Sequence, residues 1–115
     1  MDANKFQKLA ARTLIKRPEF EILDQEIMAV WNALGLTGEA GEVADLIKKG
    51  IFHHHGLDMP AIEKELGDTL WYLAAICTTL DLDLSKIMEA NIEKLRIRYP
   101  NGYSSDDSKC RVDVN

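Results

Sequence analysis

The chain has only two cysteines, no long apolar run and no strand-like alternation of polar and apolar residues. Two cysteines do not make a disulfide framework, so we expect a reducing compartment, the cytoplasm. A membrane-spanning helix needs about 20 consecutive apolar residues, and no stretch approaches that length. These absences predict a cytoplasmic protein with no membrane partner and no β-sheet.

Basic residues are also in the minority. The 14 lysines and arginines are outnumbered by 19 aspartates and glutamates, which leaves a formal net charge of −5 at pH 7. This balance argues against a protein that binds nucleic acid through a broad basic surface. It does not exclude a small phosphorylated substrate, because bound metal ions would reverse the local charge.

Helical periodicity and capping residues predict four helices, over about residues 4–15, 25–50, 59–80 and 84–98. The connections between the last three are short, which favours antiparallel neighbours. We therefore expect an all-α antiparallel bundle of about four main helices. It would occupy residues 1–103 as one domain, followed by a polar, mobile tail over residues 104–115.

The apolar residues of the third helix are expected to form its core face: Ile62, Leu66, Leu70, Leu73, Ile76, Cys77 and Leu80. Leu34 is expected to supply an apolar position of the second helix. A chain of 115 residues offers a small core, and its long amphipathic helices would leave apolar surface uncovered. This predicts a homo-oligomer, either a homodimer or a homotetramer.

Two acidic pairs are the most informative feature of the chain: Glu39 with Glu42, and Glu65 with Asp68. Each pair has i, i+3 spacing, so both carboxylates leave one face of a helix, where like charges repel. Binding a cation would offset that cost. A site built only from carboxylate oxygens favours Mg²⁺, with Mn²⁺ as a substitute, over zinc or copper.

An antiparallel arrangement of the second and third helices would bring the two acidic pairs together. The first pair precedes the expected helix end at Gly50, and the second follows the expected start at Met59. At about 1.5 Å per residue, the two distances differ by roughly 7–8 Å, which the uncertainty of helix ends largely covers. Facing pairs can enclose one or two cations, whereas the alternative is a solvated acidic face.

Three charged residues follow the first pair on the same helix. Asp45 continues the acidic row, as a further ligand or as the ion-pair partner of Lys49. Lys49 lies on the same side as Glu42 and is a candidate for binding phosphate. Lys48 is better explained by the favourable interaction of a cation with a helix C-terminus.

Asn91 is predicted to interrupt an apolar stripe formed by Leu84, Met88 and Leu95 on the fourth helix. A buried amide there needs a hydrogen-bond partner. Lys94 and Arg98 follow at i+3 and i+7, and the three residues could form an edge that binds phosphate. The alternative is an asparagine in helix packing beside two solvated cations.

Among the aromatic residues, Trp31 and Tyr72 are candidates for stacking on a base, and Tyr72 shares the face of Glu65. Trp71 is expected in the core. Glycines at positions 35, 38 and 41 suggest close approach by another helix or a ligand. The run of histidines at 53–55 is expected to be a surface turn, because adjacent residues do not all aim at one ion.

Segments 36–49, 65–73 and 91–100 together resemble the MazG-like nucleotide pyrophosphohydrolases, over about residues 5–103. The order Glu-x-x-Glu, Glu-x-x-Asp and Asn91-Ile-Glu-Lys-Leu-Arg-Ile-Arg-Tyr-Pro carries the likeness. The resemblance implies an all-α dimer, or dimer of dimers, that uses Mg²⁺. It implies hydrolysis of nucleoside triphosphates between the α and β phosphates, giving a monophosphate and pyrophosphate.

The same resemblance implies roles for individual residues. Its metal ligands would be Glu39, Glu42, Glu65 and Asp68, with Glu39 alternatively orienting or deprotonating the attacking water. Asn91, Lys94 and Lys49 would contact phosphates or sugar.

Three other functions compete with this one. A dUTPase-like or phosphoribosyl-ATP-cleaving enzyme shares the metal chemistry and differs in the base pocket. A di-iron carboxylate bundle usually needs Glu-x-x-His on two helices, and neither acidic pair has a histidine at i+3. A non-catalytic helical interaction module would show no metal-dependent turnover.

Overall fold

A computed structural model describes residues 1–14 and 25–114. These residues form five α-helices and no β-strand: α1 Ala3–Ala10, α2 Gln25–Phe52, α3 Met59–Thr79, α4 Leu84–Arg98 and α5 Ser105–Cys110. The predicted all-α class is confirmed. The chain divides into two compact units, Met1–Leu82 and Asp83–Asn115. No helix in the described ranges is long and apolar enough to cross a membrane.

Aspartate side chains start three of the helices. Asp2, Asp58 and Asp83 accept hydrogen bonds from the backbone N–H groups three residues later, at 2.8, 3.1 and 3.3 Å. Each bond satisfies a donor that has no partner within the helix. For α3 and α4 these caps lie where the sequence predicts helix starts.

The first predicted helix is shorter than expected. Its α-helical part ends at Ala10, and Ala11–Thr13 form a single 3₁₀ turn. Leu14 then adopts an extended conformation with ψ of 130°, which ends the helical run. The last predicted position of this helix, residue 15, lies outside the described residues.

In the first unit, α2 and α3 run in opposite directions. At the start of α2, the Gln25 side-chain amide donates to the Thr79 carbonyl at 2.7 Å. Further along α2, Gly35 faces the ring of Tyr72, and Gly50 lies against Leu57. As residue numbers rise along α2, their partners' numbers fall, so the two helices form an antiparallel hairpin.

Fewer residues of α3 are buried in the core of the first unit than the sequence predicts. Ile62 and Cys77 are buried as predicted, together with Ala74 and Ala75. The prediction was wrong for four leucines, which are at least 40% exposed: Leu66, Leu70, Leu73 and Leu80. Small alanine side chains permit close helix packing, so the inward face of α3 follows the alanines and leaves the leucines uncovered in the single chain. Leu34 on α2, expected at an apolar position, is 70% exposed and also lies outside this core.

The second unit differs from its predictions at two places. Asn91 and Met88 are exposed on α4, although Leu84 is buried, so the expected buried stripe does not continue along the helix. Residues expected to form a mobile tail instead include α5, whose first turn is capped by Ser104.

An ion pair closes the second unit on itself. The Arg98 guanidinium donates to both carboxylate oxygens of Asp113 at 2.7 Å, and the Asp113 side chain is 1% exposed. A bidentate pair of this kind is strong and directional. The Arg98 contact holds the pKa of Asp113 down, at about 2. The polar segment that was expected to be a mobile tail therefore contains Asp113, a buried ion-pair partner of α4.

Candidate metal centre

Three carboxylates converge in the α2–α3 hairpin. One oxygen from each of Glu39 on α2 and Glu65 and Asp68 on α3 lies within 4.8 Å of the other two. All three side chains are half-buried. The register explains the convergence, because Gly35 meets Tyr72 one helical turn away and Glu39 therefore lies level with Asp68.

The cluster has excess negative charge. The pKa of Glu39 is raised, first by a hydrogen bond with Glu65, then by burial and by the charges of Glu65, Asp68 and Glu42. Lys64 lies 3.9 Å from Glu65, but its side chain is 75% exposed and compensates little. Such a site favours a proton or a bound cation.

The donor set fits Mg²⁺ or Mn²⁺. Both prefer carboxylate oxygens, and no histidine or cysteine belongs to the cluster. Oxygens bound to one Mg²⁺ at 2.0–2.1 Å lie about 2.9 Å apart when adjacent and about 4.2 Å apart when opposite, so the three side chains would move closer together to bind a single ion. Waters or phosphate oxygens would complete the coordination.

Glu42, the fourth predicted ligand, lies outside this trio. Its side chain is exposed one turn further along α2, close enough for its charge to raise the pKa of Glu39. Asp45 has the ion-pair geometry that was one of its two interpretations, with its carboxylate 2.7 Å from Lys49 and 3.6 Å from Lys48. That hydrogen bond is the main reason why the pKa of Lys49 is raised.

A cleft adjoins the carboxylates. Its volume is about 300 Å³, and its lining is Glu39, Asp68, Trp71 and Tyr72. The volume lies at the lower end of small-molecule sites, roughly 300–1,000 Å³. The lining therefore combines two carboxylates with two aromatic rings, and the two rings form its aromatic side.

Trp71 was wrongly assigned to the core by the sequence analysis. It is half-buried, lines the cleft, and stands edge-to-face to Tyr72 with ring centroids 5.0 Å apart. A usable signal was present, because Trp71 lies three residues after Asp68 and i, i+3 neighbours share a helix face. Tyr72, predicted to share the face of Glu65, also lines the cleft.

Four other residues were also predicted to bind substrate: Trp31, Asn91, Lys94 and Arg98. Trp31 is 39% exposed on α2 and does not line the cleft. Asn91 and Lys94 are exposed on α4 of the second unit, and Arg98 is engaged by Asp113. The three histidines are exposed after α2, with the rings of His53 and His55 5.9 Å apart, as a surface turn requires.

The predictions missed one buried asparagine, Asn32. Asn32 is 2% exposed, and its amide donates to the Met28 carbonyl at 2.9 Å and toward the Thr79 hydroxyl at 3.4 Å. It links α2 to α3 two turns from Glu39, on the same helix as the first acidic pair. The bond to Thr79 is thus a contact between the two helices that form the site.

Comparison with known proteins identifies the family. The model of the MazG nucleotide pyrophosphohydrolase domain matches residues 31–103, which is more than half of the chain. The chain is also similar to the Gene 37 protein of Mycobacterium phage L5, with 37% identity over 73 residues. That match covers 60% of this chain and 64% of the relative's length. No solved structure matches significantly. The matched region contains both acidic pairs and the aromatic side of the cleft, and the chain belongs to the MazG nucleotide pyrophosphohydrolase domain family.

Proposed function

We propose that this protein is a Mg²⁺-dependent nucleoside triphosphate pyrophosphohydrolase. It would cleave ribo- or deoxyribonucleoside triphosphates between the α and β phosphates and release a nucleoside monophosphate and pyrophosphate. The observation that supports this most is the convergence of Glu39, Glu65 and Asp68 beside an aromatic cleft, in a chain of the MazG family.

In this proposal the three converging carboxylates hold the metal, and Glu42 joins them by a rotation of its exposed side chain. When bound, Mg²⁺ supplies positive charge that offsets the charge of the phosphates and of the transition state. Glu39 also borders the cleft, where its carboxylate can accept a hydrogen bond from the attacking water and orient it. Mn²⁺ would serve as a substitute.

Phosphate contacts are proposed for cationic and amide side chains outside the cluster. Among these candidates, Lys49 is the nearest in sequence to the acidic pairs. If its side chain turned from Asp45 toward substrate, it would exchange one anionic partner for another. Asn91 and Lys94 are exposed and available on α4. Arg98 would have to leave Asp113, which makes it the weakest of these candidates. We further propose that the enzyme acts in the cytoplasm as a homodimer or homotetramer.

Product identity tests the proposal. The purified protein is incubated with each common ribo- and deoxyribonucleoside triphosphate, with Mg²⁺ or with EDTA, and the products are separated by anion exchange. We expect monophosphate and pyrophosphate in equal amounts, only with metal. Diphosphate with inorganic phosphate would reject cleavage between the α and β phosphates. Absence of turnover on every substrate would favour the non-catalytic interaction module.

Two further substrates, deoxyuridine triphosphate and phosphoribosyl-ATP, separate the related enzymes. Strict use of deoxyuridine triphosphate would favour a dUTPase-like activity, whereas turnover of phosphoribosyl-ATP alone would favour a phosphoribosyl-ATP-cleaving enzyme. Asp68→Asn and Asp45→Asn protein, prepared identically, serve as controls against contaminating hydrolases. Activity should be lost in the first variant and kept in the second, because Asp45 pairs with lysines outside the trio.

A further inference from the structure

The aromatic side of the cleft has a defined geometry. Trp71 and Tyr72 follow Asp68 by three and four residues on α3, which separates their Cα atoms from that of Asp68 by about 4.5–6 Å along the helix axis. All three residues line the same cleft with Glu39. A ligand that binds metal through one end would therefore meet the two rings about one helical turn away.

The Trp71 indole is held by a chain of hydrogen bonds. Its Nε1–H donates to the Thr13 hydroxyl oxygen at 3.0 Å, and the Thr13 hydroxyl donates to the Ala10 carbonyl at 3.1 Å. A hydroxyl has a single proton. Because the Ala10 carbonyl uses it, the Thr13 oxygen is left as an acceptor aimed at the indole, and the orientation of the indole is set.

Tyr72 is held on its other side by α2. A Cβ atom at Gly35 would overlap the Tyr72 ring, so the ring packs directly on the α2 backbone. Trp71 stands at 87° to it. Both rings thus have fixed positions before any ligand arrives, and ordering them on binding costs little side-chain entropy.

We propose that Trp71 contacts the nucleobase of the substrate and contributes to base specificity, and that Thr13 is its positioning residue. The inference rests on the proposed function, from which it takes a nucleotide as ligand. Planar bases stack on aromatic side chains, whereas pyrophosphate and ribose offer no comparable face.

The two reaction products separate this proposal from general damage to the site. The nucleoside monophosphate carries the base, and Mg²⁺–pyrophosphate does not. Binding of each is measured by calorimetry, using the monophosphate of the substrate turned over fastest. We expect Trp71→Ala to weaken monophosphate binding by about 5- to 150-fold, which corresponds to the ~1–3 kcal/mol of base–aromatic stacking. Pyrophosphate binding should stay within about twofold of wild type.

Thr13 variants test the positioning role without removing the indole. Thr13→Val removes the hydroxyl and should weaken monophosphate binding in the same direction as Trp71→Ala, by less. Thr13→Ser keeps both hydrogen bonds and should match wild type. Trp71→Phe keeps an aromatic face without the donor and should resemble Thr13→Val, which covers the case in which Trp71→Ala fails to fold.

A spectroscopic signal reports the contact itself. The chain has two tryptophans, so Trp31→Phe leaves Trp71 as the single indole. Saturating monophosphate should change its fluorescence, and saturating Mg²⁺–pyrophosphate should leave it unchanged. Equal loss of both ligands in Trp71→Ala, or unchanged monophosphate binding in both Trp71 variants, would overturn the proposal.

If the proposed hydrolase function is wrong, the binding and activity results differ from those expected if only the base contact is wrong. If wild type neither hydrolyses nucleoside triphosphates nor binds either product, the proposed function fails and the base contact fails with it. If wild type hydrolyses them and binds both products, only the Trp71 and Thr13 results decide the inference.

Discussion

At the scale of single residues, Glu39 is the position where the structure concentrates unfavourable charge. Its pKa is raised by Glu65, Asp68 and Glu42 together. A carboxyl whose pKa is raised on folding opposes folding at pH values above that pKa. The acidic cluster therefore weakens the metal-free fold and should strengthen it once a cation is bound.

This leads to a prediction for Glu39→Gln. Without metal, the variant should melt at the same temperature as wild type or slightly higher, because one of the crowded charges is gone. Added Mg²⁺ should raise the melting temperature of wild type and leave that of the variant almost unchanged. Thermal melts with Mg²⁺ or EDTA measure both effects.

Asp45→Asn is the matched control for that measurement. It removes a carboxylate from the same helix but from an ion pair with Lys49, so the response to Mg²⁺ should persist. An equal metal response in Glu39→Gln and wild type would exclude Glu39 as a ligand.

Individual site residues were predicted correctly from the sequence where their spacing along a helix places them on one face. The i, i+3 acidic pairs identified all three residues that converge in the structure. The place of Trp71 in the cleft was missed because its apolar neighbours make it resemble a core residue. Asn32 was missed because nothing in the local sequence marks a buried amide. Which face of α3 turns inward depends on contacts with α1 and α2, and those are not local.

At the scale of elements, the hairpin depends on the contact between Gly35 and Tyr72. Three glycines suggested close approach along α2, but only Gly35 has a neighbour that a Cβ would strike; Gly38 and Gly41 face open space. The difference between these positions provides an internal comparison on one helix.

We predict that Gly35→Ala destabilises the protein and that Gly38→Ala does not. The first forces the Tyr72 ring away, and overpacking of this kind costs about 1–3 kcal/mol. The second adds a better helix former in open space and should stabilise by up to about 1 kcal/mol. Urea unfolding followed by circular dichroism measures both. Equal effects of the two substitutions would contradict the close contact.

Helix boundaries were predicted well where an aspartate cap was visible, as at Asp58 and Asp83. They were predicted poorly for α5, which has six polar-rich residues and too little periodicity to distinguish it from a tail. Asp113, which follows α5, is paired with Arg98 of another helix, so no local pattern reveals this contact.

The Arg98–Asp113 pair predicts an acid-sensitive C-terminal segment. The pKa of Asp113 is lowered to about 2 from a usual 3.8. Its stabilising effect is therefore fully present above about pH 4 and is lost as the pH falls from there toward 2. Amide exchange of α5, measured by NMR at a series of pH values, should show protection falling across that window.

Asp113→Asn provides the control for this step. The variant should lose protection in α5 already at neutral pH and show no further step between pH 4 and 2. Full protection of α5 in the variant at pH 7 would show that the ion pair does not hold the segment.

At the scale of the whole molecule, uncovered apolar side chains are the main feature. On α3, Leu66, Leu70 and Leu73 share one face at i, i+4 and i+7, and each is at least 40% exposed. The sequence correctly marked this stripe as apolar but placed it inside the chain's own core. The apolar spacing is the same whether a stripe is covered by the chain's own helices or by another copy.

We predict that this stripe lies in the interface of a homo-oligomer. Light scattering should give the mass of a dimer or tetramer at micromolar concentration. Leu70→Lys, which places a charge on the stripe, should lower that mass or the melting temperature. Leu82→Lys, at an exposed apolar position outside α3, serves as the comparison. A wild-type monomer would contradict the prediction.

The most direct test of the central claim is the rate of pyrophosphate release from nucleoside triphosphates as a function of Mg²⁺ concentration. For wild type, we predict a rate that rises with Mg²⁺, saturates, and vanishes in EDTA. Asp68→Asn should lose more than about 100-fold, because changes to groups that merely support metal ligands already cost 10- to 100-fold. Pyrophosphate release that continues in EDTA, or that survives in Asp68→Asn, would contradict the assignment of the carboxylate trio as the metal site of the enzyme.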